Sequence, residues 1–153
     1  MNVKNVFSLV HHFGNEEDQI SANFGFMLKV NEEVLGEFLK NLGIAELNRK
    51  ELGTTDVETQ VPFMEGQDER SKIDLQIKLG DKFIVFIESK IKGSKLGPQQ
   101  LRKYAKILEK ERPFFNCIRL VCITQFDRKD EFEDEFRKLK AAIGLKDEEC
   151  KYL

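Results

Sequence analysis

The stretch KIDLQIKLGDKFIVFIESKI, residues 72–91, constrains the fold more than any other part of the chain. Its first half alternates Ile73, Leu75, Ile77 and Leu79 with Asp74, Gln76 and Lys78, the period-two pattern of a strand with one buried face. From Phe83 onward both parities are apolar, as in a strand covered on both sides. Gly80 and Asp81 mark a hairpin between them. If the loop is Gly80, Asp81 and Lys82, Leu79 faces Phe83, and Ile73, Leu75, Ile77, Leu79, Phe83, Val85 and Ile87 share one apolar face. That register sets Asp74 opposite Glu88 and places Lys90 on their face. A two-residue loop would send the two acids to opposite faces.

The rest of the chain supplies the partners for this hairpin. Helical spacing runs through 16–42 at Ile20, Phe24, Met27, Leu28, Val34, Leu35, Phe38, Leu39 and Leu42, with Asn15 as N-cap and Gly43 as the stop. Asn31 interrupts the stripe and allows two shorter helices instead. Val57, Thr59 and Val61 alternate in a first strand over 56–63, and 65–71 reads as a polar connection. Residues 97–111 read as a helix with Pro98 in its first turn, 114–126 as a further buried strand, and 129–143 as a closing helix carrying Phe132, Phe136, Leu139 and Ile143. The order αβββαβα, with a hairpin inside it, predicts the α/β (mixed α+β) class: a mixed sheet of about four to five strands flanked by helices.

Length and composition narrow the function classes. A chain of 153 residues suits one domain over 1–153, with a core over about 15–126 and the C-terminal helix outside it. No apolar run reaches the length of a membrane span, and the N-terminal MNVKNVFSLVHHFG lacks the pattern of a signal peptide, so a cytoplasmic location is expected. Cys117, Cys122 and Cys150 have no CxxC spacing, and Cys117 and Cys122, in an apolar run, read as small hydrophobes. The net charge of −2, from 25 basic and 27 acidic residues, excludes a generally basic nucleic-acid-binding domain. Any phosphate-binding surface must therefore be a local patch, and residues 82–112 are the lysine- and arginine-rich region.

Two carboxylates on facing strand positions repel unless a positive charge lies between them. Hard oxygen ligands suit magnesium, which keeps several waters and is commonly shared with substrate phosphates. Lys90 on the same face can orient or activate a water, or counter charge developing on a phosphate. Acid, acid and lysine around an ion form a coherent site for phosphodiester hydrolysis. The same residues also read as a cross-strand ion-pair cluster on a solvated face. His11 and His12 are adjacent, share no face and have no third ligand at suitable spacing, so they read as structural. Glu58 and Gln60 share a face of the first strand and border the same region.

Asp74, followed after thirteen residues by Glu88-Ser89-Lys90 at the end of an apolar strand, resembles the PD-(D/E)xK nuclease superfamily, the restriction-endonuclease-like fold. EEDQIS at 16–21 is similar to the N-terminal helix motif of several members, and QQLRKY at 99–104 to the helix that follows the motif. Ile73 stands where the nominal motif has proline. The resemblance implies a magnesium-dependent DNA endonuclease, with manganese as substitute, that takes DNA rather than RNA. It implies that Asp74, Glu88 and the Ser89 backbone carbonyl bind the metal and that Lys90 orients or deprotonates the attacking water. Glu17, favoured over Glu16, adds a carboxylate, and Gln100 sits at the edge of the site. Lys92, Lys95, Arg102, Lys103 and Lys106 read either as phosphate contacts beside the site or as a solvated helix and loop face, while Tyr104 packs in the core. One site cuts one strand, so a homodimer is a natural expectation, and genome defence is a common setting for such domains. Overall acidity leaves room for another class: a non-catalytic nucleic-acid- or protein-binding module on the same fold, or one fragment of a larger nuclease.

Overall fold

The computed structural model describes residues 15–65, 69–91 and 99–153. Helices α1 (Glu16–Val30), α2 (Glu32–Asn41) and α3 (Arg49–Thr54) precede strands β1 (Asp56–Glu65), β2 (Glu69–Leu79) and β3 (Phe83–Lys90). Helix α4 (Gln100–Glu111), a 3₁₀ turn, strand β4 (Cys117–Thr124), helix α5 (Lys129–Ile143), a second 3₁₀ turn and strand β5 (Cys150–Tyr152) complete the chain. The five strands form one mixed sheet in the order β1-β2-β3-β4-β5, antiparallel through β3 and parallel from β3 to β5. No described helix is long and apolar enough to cross a membrane.

Each sheet face carries its own core. Leu28, Leu35 and Leu39 from α1 and α2 pack on Val57, Leu75, Ile77, Phe83, Val85 and Ile87. Leu101, Tyr104 and Leu108 of α4, with Phe132 and Phe136 of α5, pack on Ile84, Phe86, Ile118 and Leu120. Strand β3 is buried along its whole length because both layers cover it. The expected αβββαβα order is thus extended. The first helix divides at Asn31, whose side chain takes the Glu33 and Val34 N–H groups as an N-cap and cannot continue α1. Strand β5 and α3 are additions that short polar segments did not signal. The first two strands also run further than expected, to Glu65 and from Glu69, so only 66–68 connects them.

The hairpin register is the three-residue one, with Leu79 facing Phe83 and Leu75 facing Ile87. Gly80 takes a φ of 49°, the left-handed conformation glycine adopts at little cost, and Lys82 N–H closes on Leu79 C=O at 2.9 Å. The expected continuous odd face breaks at one point. Leu75 and Ile77 belong to the α1–α2 core, but Ile73 belongs to the α4–α5 core. On β1 the same reversal separates Val57 from Val61 and Phe63. Both strands turn over together at Gln60 and Asp74, the one position between Thr59↔Leu75 and Val61↔Ile73 where the ladder has no pair.

Helix α1 lies close against this turnover. A Cβ on Gly25 would stand 2.5 Å from Thr59 Cγ2 and 2.8 Å from Leu75 Cδ1, so only glycine admits this approach. The buried stripe of α1 is Ser21, Ala22, Gly25 and Leu28, while Ile20 is exposed; the inward line expected through Ile20 and Phe24 is rotated towards Ser21. Gly25→Val should cost on the order of 1–3 kcal/mol by overpacking. Urea unfolding measures it, and an unchanged midpoint would show that α1 does not press on β1 and β2.

Candidate active site

The site lies where β2 and β3 part. Their ladder ends at Leu75↔Ile87, whereas β3 stays paired with β4 through Glu88↔Cys122, Ser89↔Ile123 and Lys90↔Thr124. The next rung would join Asp74 to Glu88, and side chains replace it. Ser89 N–H donates to Asp74 Oδ2 at 3.0 Å, and Asp74 N–H donates to the Tyr104 hydroxyl at 3.2 Å. That hydroxyl donates in turn to Lys72 C=O at 2.7 Å, so α4 grips β2 on both sides of Ile73, up to Asp74. The carboxylate is fixed in the gap between the strands.

Glu88 is fully buried, held from α4 by Gln100 Nε2, which donates to its Oε2 at 2.8 Å. Its Oε1 lies 2.6 Å from Lys90 Nζ in a buried ion pair. Lys90, 6% exposed, also reaches Glu17 Oε2 at 3.5 Å, and Ile91 N–H donates to Glu17 Oε1 at 3.3 Å. Glu17 comes from the first turn of α1, where Asn15 caps the helix through Asp18 N–H. Asp74, Glu88, Lys90, Glu17 and Gln100, from four elements, therefore meet at one end of the sheet. This excludes the solvated ion-pair face, because Glu88 and Lys90 are among the most buried polar groups in the molecule.

Burial dominates the electrostatics. It pushes Asp74 up to about 6, against the pull of the Ser89 N–H and Lys90. Burial, and after it the charge of Asp74, push Glu88 up to about 8. Burial alone would lower the Lys90 ammonium, but Glu88, Glu17 and Asp74 outweigh it and hold it above the usual lysine range. The Tyr104 phenol is raised by burial and then by Glu88 and Asp74, so it remains a hydroxyl donor. Two acids that resist ionisation beside a firmly charged lysine form an environment short of positive charge.

Among the other expected residues, Glu16 is exposed, as its lower rank implied. Arg102 and Lys106 are exposed and Lys103 is half-buried on α4, while Lys92, Lys95, His11 and His12 lie outside the described residues. Ser21 is buried and bonds Glu17 C=O at 2.9 Å, so its role is within the helix. Glu58 Oε2 accepts from Gln76 Nε2 at 3.2 Å, two residues along β2 from Asp74. Tyr104 does pack in the core, edge-on to Phe63 and Phe86. Its hydroxyl role was missed, although a tyrosine rather than phenylalanine on an inward helix stripe signals a partner for the oxygen.

A family model described as the PD-(D/E)XK nuclease superfamily matches residues 4–147. The chain belongs to that superfamily. Its fold, a five-stranded mixed sheet between helices, is the restriction-endonuclease-like arrangement. Among solved structures, protein VC1899 from Vibrio cholerae is similar at 19% identity and a TM-score of 0.44, over 92% of this chain and 33% of that one. The chain thus spans about a third of that protein's length. No curated protein matches.

Because Asp74 and Glu88 hold protons to higher pH when folded than when unfolded, the folded chain carries the extra protons between about pH 4 and pH 8. Metal-free stability should fall as pH rises through that window, on the order of 3 kcal/mol between about pH 5.5 and pH 8 from Glu88. Glu88→Gln should flatten the dependence. Urea titrations across that range check it, and a wild-type stability that rises towards pH 8 contradicts it.

Proposed function

We propose that this chain hydrolyses phosphodiester bonds in DNA, with Asp74, Glu88 and the Ser89 carbonyl holding magnesium or manganese and Lys90 positioning the attacking water. The observation that carries the reading is the convergence of Asp74, Glu88 and Lys90 in the gap where the β2–β3 ladder stops. The residues fit a divalent cation. The donors are hard oxygens, and both carboxyls resist ionisation chiefly through burial, a cost that a cation between them would offset. Among the described residues no three acidic, histidine or cysteine side chains gather as a ready cage, which agrees with an ion that keeps waters and shares substrate oxygens. When bound, such an ion supplies charge neutralisation at the phosphate and acidifies water.

The chain's own residues have separable tasks. Gln100 fixes Glu88 through Oε2, and Oε1, paired with Lys90 in the resting chain, is the oxygen that would turn to a cation. Ser89 N–H and Tyr104 set the Asp74 carboxylate and its strand. Lys90, held as an ammonium, donates a hydrogen bond that orients water towards phosphorus and stabilises charge on the phosphate. Glu17 gives that ammonium a second partner once Glu88 is engaged elsewhere. Exposed Arg102 and half-buried Lys103 on α4, with Lys92 and Lys95, supply phosphate contacts. One site cuts one strand, so a double-strand break takes two copies or two events. A defence setting in the cytoplasm follows the superfamily resemblance.

A second reading, a non-catalytic binding module, has one observation in its favour: Lys90 already neutralises Glu88 directly. Cleavage decides between them. With manganese and a mixture of linear and supercoiled DNA, the wild type should cut, and Lys90→Ala or Asp74→Ala should lower the rate by at least about 100-fold with the circular dichroism spectrum unchanged. Undiminished cleavage in both variants sinks the assignment of these residues. A wild type that binds DNA but never cuts it leaves the binding module.

A further inference from the structure

Phe126 is a large aromatic side chain that the fold leaves in solvent beside the site and that the proposed mechanism does not use. Strands β3 and β4 run parallel, so both end at the same edge of the sheet, where Lys90 pairs with Thr124. Gln125 N–H then donates to Lys90 C=O at 3.1 Å, which ties the turn after β4 to the last residue of the Glu88-Ser89-Lys90 strand. Phe126 follows at once and is 59% exposed. Two residues of chain reach at most about 7 Å, so its backbone stays close to the Lys90–Thr124 pair.

A single exposed aromatic residue on a loose loop would need no explanation. This one is held in place. Thr124 Oγ1 donates to Phe126 C=O at 2.7 Å and stands 2.6 Å from the Tyr152 hydroxyl, which accepts Arg128 N–H at 2.6 Å. The Tyr152 hydroxyl of β5 thus fixes the turn on both sides of Phe126. A ring carried on ordered backbone loses little freedom when a ligand covers it. Its neighbours narrow what that ligand is. Asp127, Asp130 and Glu131 are exposed. The Arg128 guanidinium is taken by both Glu131 oxygens, at 2.9 and 2.8 Å, and Lys129 lies 3.6 Å from Glu133. Cations already answered by acids make this corner a poor seat for phosphate. A nucleobase is neutral and offers a flat π face, so it is the part of a nucleic acid that suits the ring. In a duplex the base faces are covered by their neighbours, so such a ring meets one where a strand is unpaired.

We propose that Phe126 is a base-stacking residue and that the strand engaged at the Asp74–Glu88 gap is unpaired DNA. The proposal rests on the nuclease reading and adds its substrate class.

Anisotropy with short labelled oligonucleotides tests it in the Lys90→Ala background, where DNA should bind without being cut. Phe126→Ala should weaken binding of a single strand about tenfold and change binding of the blunt duplex of the same sequence by less than about twofold. The loss should be alike at low and high salt, because stacking releases no counterions. Phe126→Trp should keep the affinity, whereas Phe126→Leu should lose it. A fluorescent base analogue in the single strand should be quenched by Phe126 and by Phe126→Trp but not by Phe126→Ala. All three variants should melt with the parent, since the side chain is exposed. Full affinity in Phe126→Ala, an equal loss on strand and duplex, or a marked fall in melting temperature overturns the proposal. So does a change from dimer to monomer in sedimentation with DNA binding untouched, which makes the ring a contact between copies. Single-strand binding that depends on Phe126 in a wild type that never cuts DNA keeps the stacking contact and sinks the hydrolysis reading. DNA that fails to bind at all overturns both.

Discussion

One missing rung of the β2–β3 ladder organises everything else at this end of the molecule. Where Asp74 and Glu88 should exchange backbone hydrogen bonds, Ser89 N–H goes to the Asp74 carboxylate and Asp74 N–H goes to Tyr104. Both of these N–H groups still find a partner, which offsets part of the cost of the unmade ladder bonds. It also spares two acids from facing each other across a closed, dry ladder. Tyr104 is central here because one hydroxyl serves as acceptor for Asp74 and donor to Lys72, fixing β2 from the α4 side.

From that break the surrounding architecture follows. β3 continues alone with β4, so Glu88 and Lys90 lie in the buried layer yet at the edge of an opening. Gly25 lets α1 come close enough to bring Glu17 to Lys90, and α4 begins at Gln100, whose amide reaches Glu88 in its first turn. The result sacrifices stability: acids raised to about 6 and about 8 are groups the fold would rather keep neutral. Sites that must bind a cation commonly carry such unrelieved charge, and the same residues report it through pH.

Much of this was legible in the residues. The alternation of Ile73 to Leu79, the glycine of the turn and the apolar run from Phe83 fix a register that the structure reproduces, and with it the approach of Asp74 to Glu88. The closing helix, the helix after the motif and the capped start of α1 follow from periodicity and end signals. The failures have physical causes. A period-two pattern carries no mark of a strand that turns over, so Ile73 was placed with Leu75 although they face opposite cores. The positive φ at Gln60 has no glycine to announce it. Strand β5 is three residues that pair because Leu120 to Cys122 lie waiting beside them, a tertiary cause with no local text. Ile20 and Ser21 differ in burial against their polarity because α1 meets the sheet through its small residues, with Gly25 at the contact.

On the proposed function, the Asp74–Glu88 gap is a cation site whose place in the resting chain is taken by Lys90. A crystal structure of the wild type grown with manganese, read by anomalous scattering, tests it most directly. A peak is expected between the Asp74 and Glu88 carboxylates, with the Lys90 ammonium shifted from Glu88 towards Glu17. No peak there at saturating manganese, with Lys90 still against Glu88, would contradict it.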